Sequence, residues 1–263
     1  MICAGDLTFL EGIECWLLDM DGTLYLGEEL IPGARDFIHK LRDREKKFLF
    51  LTNNSSKGVM DYVNKLHQLG FGFVGEEHVF TSGKATILYL HKNFAGKEVY
   101  LLGTPALESE FSIEGIKISS EPEVIVVGFD RTLTYAKMIE VCDLVRSGLP
   151  YIATHPDLNC PVEGGFIPDI GAIMAFIKAS TGRDPDVVVG KPNKPMIEMI
   201  ADRIGVPTEK MVMVGDRLYT DIAMGQHGLK TILTLSGETK MEDISRSSFS
   251  PDLVIDSVKD LLP

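Results

Sequence analysis

Two aspartates separated by one methionine close the first strongly apolar run of the chain: Cys15-Trp16-Leu17-Leu18 leads into Asp19-Met20-Asp21-Gly22-Thr23. An apolar run that stops at Gly-Thr reads as a buried strand delivering its last residue into a loop. Carboxylates at that spacing crowd one another, and their repulsion calls for a cation, a proton or solvent. The plain alternative is an acidic turn capping the next helix, and the dipeptide pattern alone does not choose between the two.

Three further apolar runs also stop at polar groups. Lys47–Leu51 runs into Thr52-Asn53-Asn54-Ser55-Ser56, Val187-Val188-Val189 into Gly190-Lys191, and Met211–Val214 into Gly215-Asp216, with Asp221 five residues on. Near-continuous apolar runs of this kind are buried on both faces of a parallel sheet. In open α/β sheets the carboxyl ends of the strands line one edge, where ligands bind. Four such endings on one edge make a site. Several carboxylates held together need a hard cation, and oxygen ligands suit Mg²⁺, which bridges to substrate phosphate. One carboxylate beside that cation and Lys191 can attack an anionic electrophile. Asp21, two residues past the nucleophile, can protonate the leaving oxygen and later deprotonate the attacking water. The Thr52 hydroxyl and the amides that follow can hold phosphoryl oxygens. The chemistry that uses all these parts is phosphoryl transfer through an aspartyl phosphate.

The elements that must position these groups follow a strand, helix, strand, helix grammar, which is that of a parallel sheet. Ile31, Ala34, Phe37, Ile38 and Leu41 mark a helix beginning near Pro32; Val59, Tyr62, Val63, Leu66 and Leu69 mark a second, closed by Gly70. From about residue 80 to 185 the alternation continues without chemical endings, in enough elements to form a small sheet with its own core. The expected architecture is therefore a doubly wound, Rossmann-like parallel-sheet core, residues 1–80 and 186–263, with an inserted α/β cap domain, residues 81–185. The Gly164-Gly165 pair lacks the spacing of a dinucleotide fingerprint and reads as a tight turn.

Composition narrows the class. A chain of 263 residues with a formal net charge of -12 is poorly suited to nucleic acid polymers or anionic membranes, which it would repel at long range. A small anionic metabolite remains accessible if a metal and a few basic groups reverse the field locally. Cys3, Cys15, Cys142 and Cys160 show no zinc-ligand spacing and read as reduced cysteines of a cytoplasmic protein. The amino-terminal stretch lacks the pattern of a signal peptide, and no apolar run approaches a membrane span. His39, His67, His78, His91 and His227 show no pairing pattern, and Arg217 reads as a surface or supporting residue rather than a phosphate ligand.

Asp-Met-Asp-Gly-Thr, the Thr after the second run, the Lys after a later one and Gly-Asp-Arg-Leu-Tyr-Thr-Asp resemble, in order, the four motifs of the haloacid dehalogenase superfamily. Thr-Asn-Asn-Ser-Ser, Gly-Phe-Asp, Ala-Thr-His-Pro-Asp and Leu-Ser-Gly-Glu-Thr extend the resemblance to its NagD-like, para-nitrophenyl phosphatase branch, over nearly the whole chain. That resemblance implies an HAD-like fold whose cap is inserted between the second and third motifs. It implies a phosphatase of small phosphate monoesters such as a nucleotide or sugar phosphate, with Asp19 as nucleophile and Asp21 as general acid/base. Lys191 would neutralise the transition state. Thr52 and Asn53 would bind phosphate, with Asn54, His155 and Asp157 as further substrate-binding candidates. Asp19, the Asp21 carbonyl and Asp216 would ligate Mg²⁺, and Asp221 would orient its water shell or Lys191. His155 stands where many relatives carry Asn. Competing chemistries on a similar frame are a dehalogenase, a phosphonatase and a receiver-like phospho-acceptor, and Asp21 disfavours the first two. Pairing of two chains through the cap is left open.

Overall fold

The computed structural model describes residues 8–162 and 164–261. Cys3 lies outside them. The strands and helices, in chain order, are β1 (Cys15–Asp19), β2 (Tyr25–Leu26), β3 (Glu29–Leu30), α1 (Ala34–Asp43), β4 (Lys47–Thr52), α2 (Val59–Gln68), β5 (Val79–Thr81), α3 (Ser82–Asn93), β6 (Val99–Leu102), α4 (Pro105–Ile113) and β7 (Val124–Val127). There follow α5 (Tyr135–Arg146), β8 (Tyr151–Ala153), β9 (Asn159–Val162), β10 (Gly165–Pro168), α6 (Ile170–Thr181), β11 (Val187–Val188), α7 (Lys194–Ile204), β12 (Met211–Gly215), β13 (Lys230–Thr234), α8 (Met241–Ile244) and β14 (Leu253–Ile255). The chain is α/β, with a parallel core sheet and an inserted α/β unit, as its alternating pattern predicts.

The core sheet has the order β14-β13-β12-β1-β4-β5. Its strands from β14 through β4 run parallel. The chain enters at β1, builds outward through β4 and β5, and later returns to the other side of β1 with β12. The strand order therefore reverses at β1, and the crevice beyond the carboxyl end of such a strand is where open α/β sheets bind ligands. Leu17, Leu18, Phe50, Leu51, Met213 and Val214 are fully buried, which is why these strands read as unbroken apolar runs rather than alternating ones. In α1, Ala34, Phe37, Ile38 and Leu41 are buried on one stripe, as their spacing predicts.

A second parallel sheet has the order β11-β8-β7-β6. Its core gathers Tyr100, Leu102, Ile125, Val127, Met138, Val141, Tyr151, Ile170 and Ile173. The Gly164-Gly165 turn joins β9 to β10, an antiparallel hairpin with Gly165 opposite Val162. Alternation in that segment is weak because its strands are mostly exposed, so the apolar pattern does not reveal it.

Two compact units result: one of Met1–Thr52, Tyr62–Phe80 and Ile200–Pro263, the other of Asn53–Asp61 and Thr81–Met199. The division differs from the expected 1–80, 81–185 and 186–263 at two places, and hydrogen bonds explain both. The three-valine run does not join the core sheet; Val187 pairs with Ile152 and Val188 with Ala153, and Val189 and Gly190 go on donating to Ala153 and Thr154. Residues 53–56 are likewise bonded within the second unit: Ser55 Oγ lies 3.0 Å from Thr154 Oγ1 and accepts from Phe129 N at 2.9 Å, and Thr104 Oγ1 donates to the Ser56 carbonyl at 3.1 Å. An apolar run announces a strand; it does not say which sheet takes it.

Leu17 is fully buried in β1 beneath the strand's acidic ending. Leu17→Ala is expected to lower the unfolding free energy by roughly 2–5 kcal/mol, through lost burial and the cavity left behind. Equilibrium urea denaturation of the two proteins measures it.

Candidate active site

Register brings the acidic endings of the first unit together. Leu18 lies opposite Val214 and Asp19 opposite Leu51, so Asp19, Asp216 and Thr52 leave three neighbouring parallel strands at the same edge. The chain after Asp216 then turns back on itself: Asp221 N donates to the Arg217 carbonyl at 3.1 Å, while Arg217 N donates to Asp221 Oδ2 at 3.2 Å. The result is that one carboxylate oxygen each from Asp19, Asp216 and Asp221 lies within 4.8 Å of the others. Asp21 is not among them; its side chain is exposed.

Glycines make room for this cluster. A Cβ on Gly22 or on Gly237 would overlap the Asp216 carboxylate, and one on Gly215 would overlap Asp221. Gly22 also has φ +87°, a left-handed conformation that favours glycine. Asp216 Oδ2 accepts from Glu238 N at 2.7 Å, and Thr23 Oγ1 donates to Asp19 Oδ2 at 3.4 Å. Asp216 Oδ1 is buried with no hydrogen-bond donor. Burial pushes the Asp216 carboxyl up to about 8, and the negative charges of Asp19 and Asp221 push in the same direction. Burial opposes the charge of Arg217, but Asp19, Asp216 and Glu238 hold it firmly protonated.

In the second unit a different group of candidates meets around Asn53. Its Nδ2 donates to Asp157 Oδ1 and to the Lys191 carbonyl, both at 2.9 Å, and its Oδ1 accepts from Lys191 N at 2.8 Å. Lys191 is 3 % exposed. His155 is fully buried, with Nδ1 3.8 Å from Asp157 Oδ2 and Nε2 3.6 Å from Asp169 Oδ1. Asn54 shapes the loop, its Oδ1 accepting from Ser56 N at 2.9 Å and Ser56 Oγ at 2.8 Å, while its Nδ2 points to Cys160 Sγ at 3.8 Å. The predicted residues thus fall into two clusters: Asp19, Asp216 and Asp221, and Asn53, Asp157, His155 and Lys191.

Comparison with known proteins follows the same lines. Residues 16–117 match the family of haloacid dehalogenase-like hydrolases, and residues 188–261 match a second, HAD-hydrolase-like family. Glycerol-3-phosphate phosphatase of Mus musculus is 35% identical, over 97% of this chain and 91% of its own length. A 4-nitrophenylphosphatase from Thermotoga maritima has a similar structure, with a TM-score of 0.93 and 47% identity over 96% of this chain and 97% of that one. The NagD structure from E. coli K-12 has a TM-score of 0.87 and 34% identity, over 94% of this chain and 97% of that one. The chain belongs to the haloacid dehalogenase-like hydrolases. It is a member of their NagD-like, para-nitrophenyl phosphatase branch and, as such, a phosphoric monoester hydrolase.

For an HAD-like hydrolase the carboxylate cluster has the donor set expected of a divalent-cation site. Its oxygens are hard ligands, one of them is buried without a donor, and the charges repel unless something positive is shared among them. Some of its parts carry no sign in the sequence. Glu238 contributes a backbone N–H to Asp216, and Ser236 Oγ donates to the Gly22 carbonyl at 2.8 Å, pinning the aspartate loop. Both lie in Leu-Ser-Gly-Glu-Thr, a segment with no acidic strand ending to mark it. Arg217 is half-buried, in a supporting place rather than on the surface; its Nε lies 2.9 Å from Glu238 Oε2 in an ion pair.

Because Asp216 holds its proton up to about 8 against an ordinary 3.8, the folded chain binds more protons than the unfolded one between those values. Stability of the metal-free protein therefore falls as pH rises through that window. Thermal unfolding from about pH 4 to pH 8 in chelator is expected to show this decline. Asp216→Asn should flatten it, and a divalent cation should raise the wild-type midpoint most at the alkaline end.

Proposed function

We propose that this chain is a Mg²⁺-dependent phosphatase of small phosphate monoesters that works through an aspartyl phosphate on Asp19. The observation that carries the reading is the convergence of Asp19, Asp216 and Asp221 at the strand where the core sheet reverses, in a chain of this family. Mg²⁺ would be held by Asp19, Asp216 and the Asp21 carbonyl, with Asp221 ordering its surroundings, and when bound it offsets the charge of the phosphoryl group.

The chain's own residues would act as follows. An Asp19 oxygen forms a bond to phosphorus as the bond to the leaving oxygen breaks. Asp21, whose side chain is exposed, gives that oxygen a proton. Asp21, now the base, takes a proton from water, whose oxygen attacks phosphorus and releases phosphate and the Asp19 carboxylate. Thr52, Asn53 and Asn54 bind phosphoryl oxygens, and Lys191 neutralises developing charge. Lys191 holds this role by its place in the order of motifs. Asp157 belongs to the recognition of the leaving group, and His155, which has no exposed surface, contributes through it.

The relatives named above are called phosphatases of glycerol 3-phosphate and of 4-nitrophenyl phosphate, and a small phosphorylated metabolite is the class of substrate we assign. Among the described residues no helix is long and apolar enough to cross a membrane.

Purified protein is expected to release phosphate from 4-nitrophenyl phosphate and from a panel of glycerol, sugar and nucleotide monophosphates when Mg²⁺ is present. Asp19→Asn should lower turnover by at least about a thousandfold. Asp21→Asn should lower it by about 10²–10⁴-fold. Acid-quenched wild-type enzyme should carry phosphate on Asp19. Unchanged turnover in Asp19→Asn would overturn the assignment.

A further inference from the structure

The structure gives His155 an unusual setting. It follows β8, with no exposed surface, between two carboxylates that are themselves almost wholly covered: the side chains of Asp157 and Asp169 are 9% and 3% exposed. Among the described residues neither ring nitrogen has a hydrogen-bond partner, although one carboxylate oxygen faces each, at 3.8 Å and 3.6 Å. Two buried carboxylates converging on an apolar side chain would repel across a low-dielectric gap, whereas an imidazole places a polar ring with an N–H between them.

What lies on either side of the ring gives the setting a purpose. Asp169 is the N-cap of α6, its Oδ1 accepting from Ile170 N at 2.6 Å, so that carboxylate is fixed to a rigid element. Asp157 is fixed from the other direction, by Asn53 Nδ2 at 2.9 Å. The same Asn53 amide holds both the N–H and the carbonyl of Lys191. Packing closes the chain of contacts: a Cβ on Gly190 would meet His155 Cβ at 2.6 Å and Asn53 Oδ1 at 2.7 Å, and a Cβ on Gly171 would meet the Asp157 carbonyl at 2.8 Å. No slack is left between the ring, the loop and the residue before Lys191.

We propose that His155 is a buried positioning residue: braced against Asp169, it orients the Asp157 carboxylate, which sets the Asn53 amide and through it the backbone of Lys191. The proposal rests on the phosphatase reading for its effect on turnover, but its structural part does not.

Two readouts separate the cases. In protein with ¹⁵N-labelled asparagine, the Asn53 side-chain amide is assigned by its loss in Asn53→Ser. His155→Leu is expected to shift that amide and hasten its hydrogen exchange, whether or not the protein has phosphatase activity. In steady-state assays with Mg²⁺ and 4-nitrophenyl phosphate, His155→Leu should lower kcat roughly ten- to hundredfold with KM changed far less, since misplacing a charge-neutralising group weakens the reaction more than binding. His155→Asn keeps a donor and should recover most of kcat; it also serves if the leucine variant fails to fold. The effects of His155→Leu and Asp157→Asn should be non-additive, because one acts through the other. An unmoved Asn53 amide in a folded His155→Leu variant, or strictly additive effects of Asp157→Asn with either His155 variant, would overturn the proposal. Wild-type protein without phosphatase activity would overturn the proposed function and leave the amide measurement to decide this inference.

Discussion

Three carboxylates forced into one partly buried corner are the constraint from which the first unit follows. Asp19, Asp216 and Asp221 approach within 4.8 Å, and at that range in a medium less polar than water like charges repel by several kcal/mol. A fold does not adopt such an arrangement for its stability. Everything adjacent works to keep it in place: the parallel register that sets Asp19 beside Asp216, the turn that brings Asp221 back, and the Glu238 amide that holds one Asp216 oxygen and leaves the other without a donor. Removing the charges would relieve the repulsion and empty the site of its chemistry. The position at the reversal point of the sheet supplies the opening that a substrate needs.

The second unit meets the opposite demand. The Asn53 side-chain amide spans Asp157 and both backbone groups of Lys191. A buried amide whose donors and acceptor are all engaged is held rigidly. One unit therefore keeps a buried carboxylate oxygen without a donor among the described residues, while the other fixes the peptide of a lysine. That difference matters because a long, flexible ammonium group is only as well placed as the backbone it grows from.

Much of the carboxylate site could be read from the chain before its structure. Buried parallel strands have to be apolar along their whole length, so the first polar residue after each one stands out, and Asp19, Thr52 and Asp216 were visible for that reason. Lys191 stands out too, but the sheet that takes its strand does not: three valines fit any parallel sheet, and pairing with Ile152 and Ala153 is a tertiary choice with no local sign. Thr-Asn-Asn-Ser-Ser was legible as a loop at a strand end and illegible as part of the second unit, because serine and threonine hydroxyls bond wherever a partner is near. The hydrogen bonds of Glu238 and Ser236 were hidden because a backbone amide leaves no trace in side-chain type. Of the two places open to Arg217, surface or support, the structure shows the supporting one, and the sequence does not choose because the proximity of Asp19 and Asp216 is a tertiary fact.

Asp-Met-Asp-Gly-Thr and Gly-Asp also contain residues whose reason is steric rather than chemical. Gly22 reads at first as a turn signal, and its left-handed φ agrees. Yet a permissive backbone alone would admit Asn at such a position. What excludes any side chain is the Asp216 carboxylate, which occupies the place of a Gly22 Cβ, as it does that of a Gly237 Cβ; Asp221 does the same at Gly215. Three separate stretches of chain have thus given up their side chains so that carboxylates can approach the end of β1. A turn needs a glycine once. The demand for three, each facing an acid rather than solvent, comes from the packing of charge, and it explains why the glycines flank the aspartates in the motifs: the chemistry specifies the acids, and their crowding specifies what may stand beside them.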